Sequence, residues 1–123
     1  MPRIPRAALV FPGETYHVIA RGSGRMTVFR DADDYAAYLR LLEIGLKRYG
    51  IDLFHYVLMP NHFHLLLRPS VSDLPDCMHF VQLSYTKRFC RKYRRVGHVW
   101  QGRYKSYLIA NDPYLFACGN YIE

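Results

Sequence analysis

Two histidines one residue apart, His62 and His64, are the groups whose type and spacing point most directly to chemistry. On a strand, positions two apart project to one face, with Cα atoms roughly 6.5 Å apart. Two imidazoles there could share one metal ion while Phe63, Leu65 and Leu67 turn towards the core. Strand histidines also occur as plain structural residues, and imidazole pairs suit zinc or nickel better than magnesium, so spacing alone names no ion. A second group is cationic. Lys87, Arg88, Arg91, Lys92, Arg94 and Arg95 place six positive charges within nine residues, with Tyr85, Phe89 and Tyr93 interleaved. A helix C-terminus favours cations, but this density in a basic chain exceeds what the dipole requires, and phosphate contact is the favoured reading. Downstream, Gln101, Arg103 and Lys105 alternate with Trp100 and Tyr104, as on the two faces of a strand. Cations beside aromatic rings are what phosphates and unstacked bases need. Tyrosine is the third group, with eleven in the chain. Tyr121 lies seven residues after Tyr114 and three after Cys118, so the three share a helical face. Composition alone does not separate a nucleophile there from core packing.

Elements able to hold these groups can be read from periodicity. Residues 1–13 read as an N-terminal arm, and Thr15 to Arg21 is β-branched and aromatic, a first strand. Asp31 or Asp33 can cap a helix whose apolar residues Tyr35, Tyr38, Leu39, Leu42, Leu46 and Tyr49 keep the helical period, with Gly50 closing it. Ile51 to Met59 and His62 to Leu67 are apolar runs joined by Pro60-Asn61, which favours a β-hairpin, because proline would interrupt a helix. A second helix carries Leu74, Met78, Val81, Tyr85 and Phe89 on one stripe and ends at Gly97. Val99 to Ile109 reads as a long fourth strand, and Asn111-Asp112-Pro113 opens a last helix. The order β-α-β-β-α-β predicts an α+β, ferredoxin-like antiparallel sheet with helices on one face and an additional C-terminal helix.

Bulk properties agree with a single domain of 123 residues, half of them hydrophobic. Seventeen Lys and Arg against ten Asp and Glu give a net charge of +7, which favours a polyanionic partner because bound phosphates release counterions. Cys77, Cys90 and Cys118 are odd in number and lack metal-type spacing, so they read as free thiols of a reducing cytoplasm. The apolar stretch Ala7 to Phe11 stops at Pro12-Gly13, too short for a signal peptide. A cytoplasmic, nucleoid-associated protein is expected.

The string Met59-Pro60-Asn61-His62-Phe63-His64-Leu65-Leu66 resembles the HUH signature of single-tyrosine transposases, closest to the REP-associated tyrosine transposases. The resemblance extends over most of the chain, through Gly13 to Gly22, Val28-Phe29 before Asp31, Gly97 to Tyr104 and Tyr114 to Glu123. It implies that His62 and His64 hold a divalent cation, Mg²⁺ or Mn²⁺, against a scissile phosphate. It implies that Tyr121 is the nucleophile, giving a 5′-phosphotyrosine and a 3′-hydroxyl. The implied partner is single-stranded DNA with hairpin or palindromic ends. Many relatives form dimers while the REP-associated branch is expected to act as monomers, so a homodimer stays open.

The chain departs from the family pattern at two places. It stops at Glu123, where relatives are expected to continue with Leu-Asn-Pro, so the C-terminus reads as truncated and the family's third metal-ligand position is missing. Cys90 also stands where relatives are expected to carry a polar residue. Two other readings share the fold and charge: a non-catalytic nucleic-acid-binding domain, domesticated or truncated, and a nuclease that activates water instead of tyrosine.

Overall fold

The computed structural model describes residues 13–70 and 73–109. The elements run β1 (Thr15–Arg21), a short 3-10 turn (Ser23–Arg25), α1 (Ala32–Tyr49), β2 (Ile51–Met59), β3 (His62–Pro69), α2 (Leu74–Tyr93) and β4 (Lys105–Ile109). The four strands form one sheet in the order β2-β3-β1-β4, and every neighbouring pair is antiparallel. This is the α+β architecture that the element order predicts. The last helix expected from Asn111 lies outside the described residues.

Local chemistry explains most boundaries. Asp31 caps α1 by accepting the Asp34 N–H at 2.9 Å, and Asp33 and Asp34 sit in the first turn, where the helix dipole favours negative charge. Gly50 ends α1 at φ 65°, a left-handed conformation that glycine adopts without steric cost. One sheet face receives both helices. Val18, Phe63, Leu65 and Leu67 from the strands meet Tyr38, Leu42, Met78, Val81, Tyr85 and Phe89 from the helices, all fully buried. Gly45 permits the close crossing of the helices: a Cβ there would stand 2.9 Å from Val81 Cγ2.

Two boundaries differ from the sequence expectation. The helix α2 ends at Tyr93, not Gly97, with Arg94 in the left-handed region at φ 50°. Its last turn is fixed earlier because Lys92 and Tyr93 are both tied to Asp34 of α1. The fourth strand is also shorter than Val99 to Ile109, since regular pairing begins only at Lys105. The backbone does touch the end of β1 before that, through a Gly22–Trp100 bridge and the Gln101 N–H donating to the Arg21 carbonyl at 2.8 Å. Gly102, at φ 64°, then turns the chain out of the sheet before it returns as β4.

Candidate active site on the sheet face opposite the helices

β3 is a central strand, so its second face is framed by β2 on one side and β1 on the other. Phe63, Leu65 and Leu67 are fully buried beneath the helices, and the alternation places His62, His64 and Leu66 on the opposite face. The pairing register sets His62 opposite Arg21 and His64 opposite Ile19. The two rings have centroids 5.2 Å apart and stand nearly perpendicular.

A third histidine joins them. His17 of β1 is paired with Leu66, one diagonal step from His64, and its Nε2 lies 3.0 Å from His64 Nδ1. Those two rings stack with centroids 5.2 Å apart. On the other ring of the pair, His62 Nδ1 lies 2.8 Å from Asn61 Oδ1. The turn that carries Asn61 is itself held. The Pro60 carbonyl accepts from the N–H groups of Val28 and Phe29, and the Asn61 carbonyl accepts from Gly22 N–H at 2.8 Å. Gly22 is required there, because a Cβ would stand 2.3 Å from the Met26 carbonyl oxygen.

All three imidazoles are held towards the neutral form. Burial lowers His17, burial and then Arg21 lower His62, and burial with His17, His62 and Arg21 takes His64 down to about 4. A neutral imidazole keeps a lone pair for a metal near pH 7, so the donor chemistry fits a divalent ion. His62 and His64, with ring centroids 5.2 Å apart, are placed so that two such donors share one face. Among the described residues, no group of three or more His, Cys, Asp and Glu is gathered as a complete metal site.

Next to the histidines, Arg21, Gln101, Arg103, Lys105, Ile19 and Tyr107 line a shallow cavity of about 160 Å³. The sequence grouped Gln101, Arg103 and Lys105 on one strand face. Only Lys105 belongs to a strand, yet the turn at Gly102 still delivers all three to one cavity, while Tyr104 is buried on the other side. A larger cleft of about 690 Å³, lined by Leu42, Leu46, Ile51, Leu53 and Tyr56 among others, contains none of these groups.

The cationic end of α2 divides in two. Arg88 and Lys92 reach Asp34, whose side chain is fully buried, at 2.8 and 2.9 Å, and Lys92 also reaches Asp31 at 2.6 Å. The Arg30 N–H and the Tyr93 hydroxyl complete the shell of Asp34. Burial pushes this carboxyl up, but the hydrogen bonds from Arg88, Tyr93, Arg30 and Lys92 outweigh it and hold the pKa well below the usual range. Lys87, Arg91, Arg94 and Arg95 are exposed. Tyr121 lies outside the described residues.

Sequence reasoning missed His17, Arg21, Asn61 and Asp34 as partners. His17 and Arg21 share the strand alternation of Ile19, so the β1–β3 register would have revealed them. Asp34 carried no such signal, since an acidic residue in a first helical turn ordinarily faces solvent.

A model of the family described as "Transposase IS200 like" matches residues 12–123. Among curated proteins, none matches the sequence. Two solved structures are similar in fold. A REP-associated tyrosine transposase bound to a REP hairpin gives a TM-score of 0.75 at 16% identity, covering 99% of this chain and 70% of that one. A Deinococcus radiodurans protein assigned as a transposase gives 0.63 at 20% identity, covering 88% and 87%.

Proposed function

The chain belongs to the IS200-like transposase family, and on that premise we propose that it cleaves and rejoins single-stranded DNA beside hairpins through a covalent tyrosyl intermediate. The observation that carries this reading is the histidine pair itself: two imidazoles with lowered pKa values on the sheet face opposite α1 and α2, beside a basic cavity. His62 and His64 would hold Mg²⁺ or Mn²⁺, which when bound polarises the scissile phosphate and stabilises charge on its oxygens. Arg21, Gln101, Arg103 and Lys105 bind the neighbouring backbone phosphates and set the strand across the histidines. Lys87, Arg91, Arg94 and Arg95 extend that contact along the flank of the domain.

Tyr121 attacks the phosphorus. Its phenol has an ordinary pKa of about 10, so the proton must be lost to solvent or a base as the new P–O bond forms. The bond to the 3′ oxygen breaks, releasing a 3′-hydroxyl and leaving the 5′ end as a phosphotyrosine. Attack by another strand's 3′-hydroxyl on that ester reverses the exchange and returns the phenol. One phosphodiester is exchanged for another, so no nucleotide hydrolysis is needed. A DNA hairpin partner is supported by the similar fold that was captured on a REP hairpin.

Incubation of the protein with hairpin-flanked single strands and Mn²⁺ should give a slowly migrating adduct that chelator prevents. Tyr121→Phe should abolish it. Equal adduct from that variant would assign the nucleophile elsewhere. Hairpin binding without any adduct from the parent would instead make this a binding domain.

A further inference from the structure

Both histidines of the pair are held from behind, by different elements and at the same ring atom. His62 Nδ1 is 2.8 Å from Asn61 Oδ1, and His64 Nδ1 is 3.0 Å from His17 Nε2. An amide oxygen only accepts, so His62 must donate from Nδ1, and in its neutral form the lone pair then sits on Nε2. The His64–His17 contact has two versions. Either His64 Nδ1–H donates to His17 Nε2, or His17 Nε2–H donates to His64 Nδ1. Only the first leaves the lone pair of His64 on Nε2, matching His62.

We propose that Asn61 and His17 are positioning residues that fix both metal-ligand histidines in the Nδ1–H tautomer, so that each presents Nε2 to the cation. The inference rests on the reading of His62 and His64 as ligands. It assigns a role to β1 and to the β2–β3 turn that the ligand pair alone does not. The two supports differ in stiffness. Asn61 adjoins its histidine in a turn pinned by three backbone hydrogen bonds. His17 comes from a separate strand, 47 residues away, and its ring also neighbours Tyr107, with centroids 6.4 Å apart. Supports of this kind set ring orientation and ligand basicity, and their loss typically weakens metal binding about 10- to 100-fold.

Tautomers are read directly from long-range ¹H–¹⁵N spectra of the metal-free protein, with the six histidines assigned by single substitution. His62 and His64 should both show the pattern of a protonated Nδ1. Asn61→Ala should shift His62 and leave His64, and His17→Phe should do the reverse. Asn61→Asp and His17→Gln retain an acceptor at the same place and should restore the parent pattern, which a loss of folding would not allow. Mn²⁺ affinity should fall about 10- to 100-fold in Asn61→Ala and His17→Phe, and stay near the parent in the two conservative variants. Unshifted tautomers, or unchanged Mn²⁺ affinity beside abolished binding in His62→Ala, would overturn the positioning roles while leaving the metal reading intact. A parent that takes up no Mn²⁺ would overturn the metal reading, and these roles with it.

Discussion

The histidines of the sheet and the Asp34 hub are both polar clusters within a small basic domain, built on opposite electrostatic plans. At Asp34 a carboxylate with no exposure meets Arg88, Lys92, the Tyr93 hydroxyl and a backbone N–H, so its charge is compensated locally. At the histidines, the groups that shift His64 are burial, His17, His62 and Arg21, and every one acts against positive charge on the ring. The first cluster is complete as it stands and joins α1 to α2. The second gathers neutral donors beside cations, an arrangement that suits a metal ion and a phosphate. Titratable groups close together therefore do not by themselves mark function. What separates the clusters is whether their charges are answered within the protein.

Substitutions should separate them too. Replacing both His62 and His64 by alanine should lower adduct formation about 100-fold or more, since several kcal/mol of transition-state stabilisation are lost. The melting temperature should barely move, and a collapse of the fold would place the pair in the structural class instead. Asp34→Ala should do the opposite. It leaves Arg88 and Lys92 without their acceptor and should cost about 3 kcal/mol, the low end for a broken buried pair because both cations are partly solvated. Thermal unfolding would show this as a loss of roughly 15 °C, with Mn²⁺ affinity retained.

The basic helix offers a finer dissection. Arg91→Ala should weaken DNA binding several-fold and reduce the salt slope by about 0.7, the value for one contact to a single strand. Arg88→Ala should mainly lower stability. Identical behaviour of the two would erase the distinction between the exposed and hub-bound cations.

Acid should reveal the clusters in separate pH windows. For His64 the folded pKa of about 4 lies below its ordinary 6.5, so between those values the unfolded chain binds more protons. Stability is therefore lost as pH falls from about 6.5 towards 4, and His64→Asn should flatten that limb of a plot of melting temperature against pH. Asp34 is also depressed, from 3.8, so its contribution is present above that value and is lost only as pH falls further. As the smallest effect, Lys47→Ala, which breaks an exposed pair with Glu43, should change stability by less than about 0.5 kcal/mol.

The order of the described strands and helices, a cap at Asp31 or Asp33, the stop at Gly50, and the placing of His62 and His64 on one face were all readable from spacing, because each depends on residues close in sequence. The family resemblance was readable for the same reason, since its densest motif is one continuous string. What escaped depends on pairs distant in the chain. His17 reaches His64 only through strand register, and Arg88 leaves the set of candidate phosphate contacts only because Asp34 is buried beside it. The start of β4 misled in a different way. Alternation from Val99 onward mimics a strand, and the glycine that breaks it, Gly102, occupies a position where a strand glycine could equally mark a bulge.

The 47-residue separation of His17 and His64 also favours one order of assembly. The β2–β3 hairpin joins near neighbours and closes a small loop, so it can bring Asn61, His62 and His64 together while the rest of the chain is still unfolded. Bringing in β1 closes a much longer loop and requires the central pairing of the sheet. A partly folded chain could thus carry the His62–His64 pair and its Asn61 contact while lacking the His17 contact. On loop-closure cost the His17–His64 contact is expected to form late, which would couple completion of the histidine cluster to completion of the sheet.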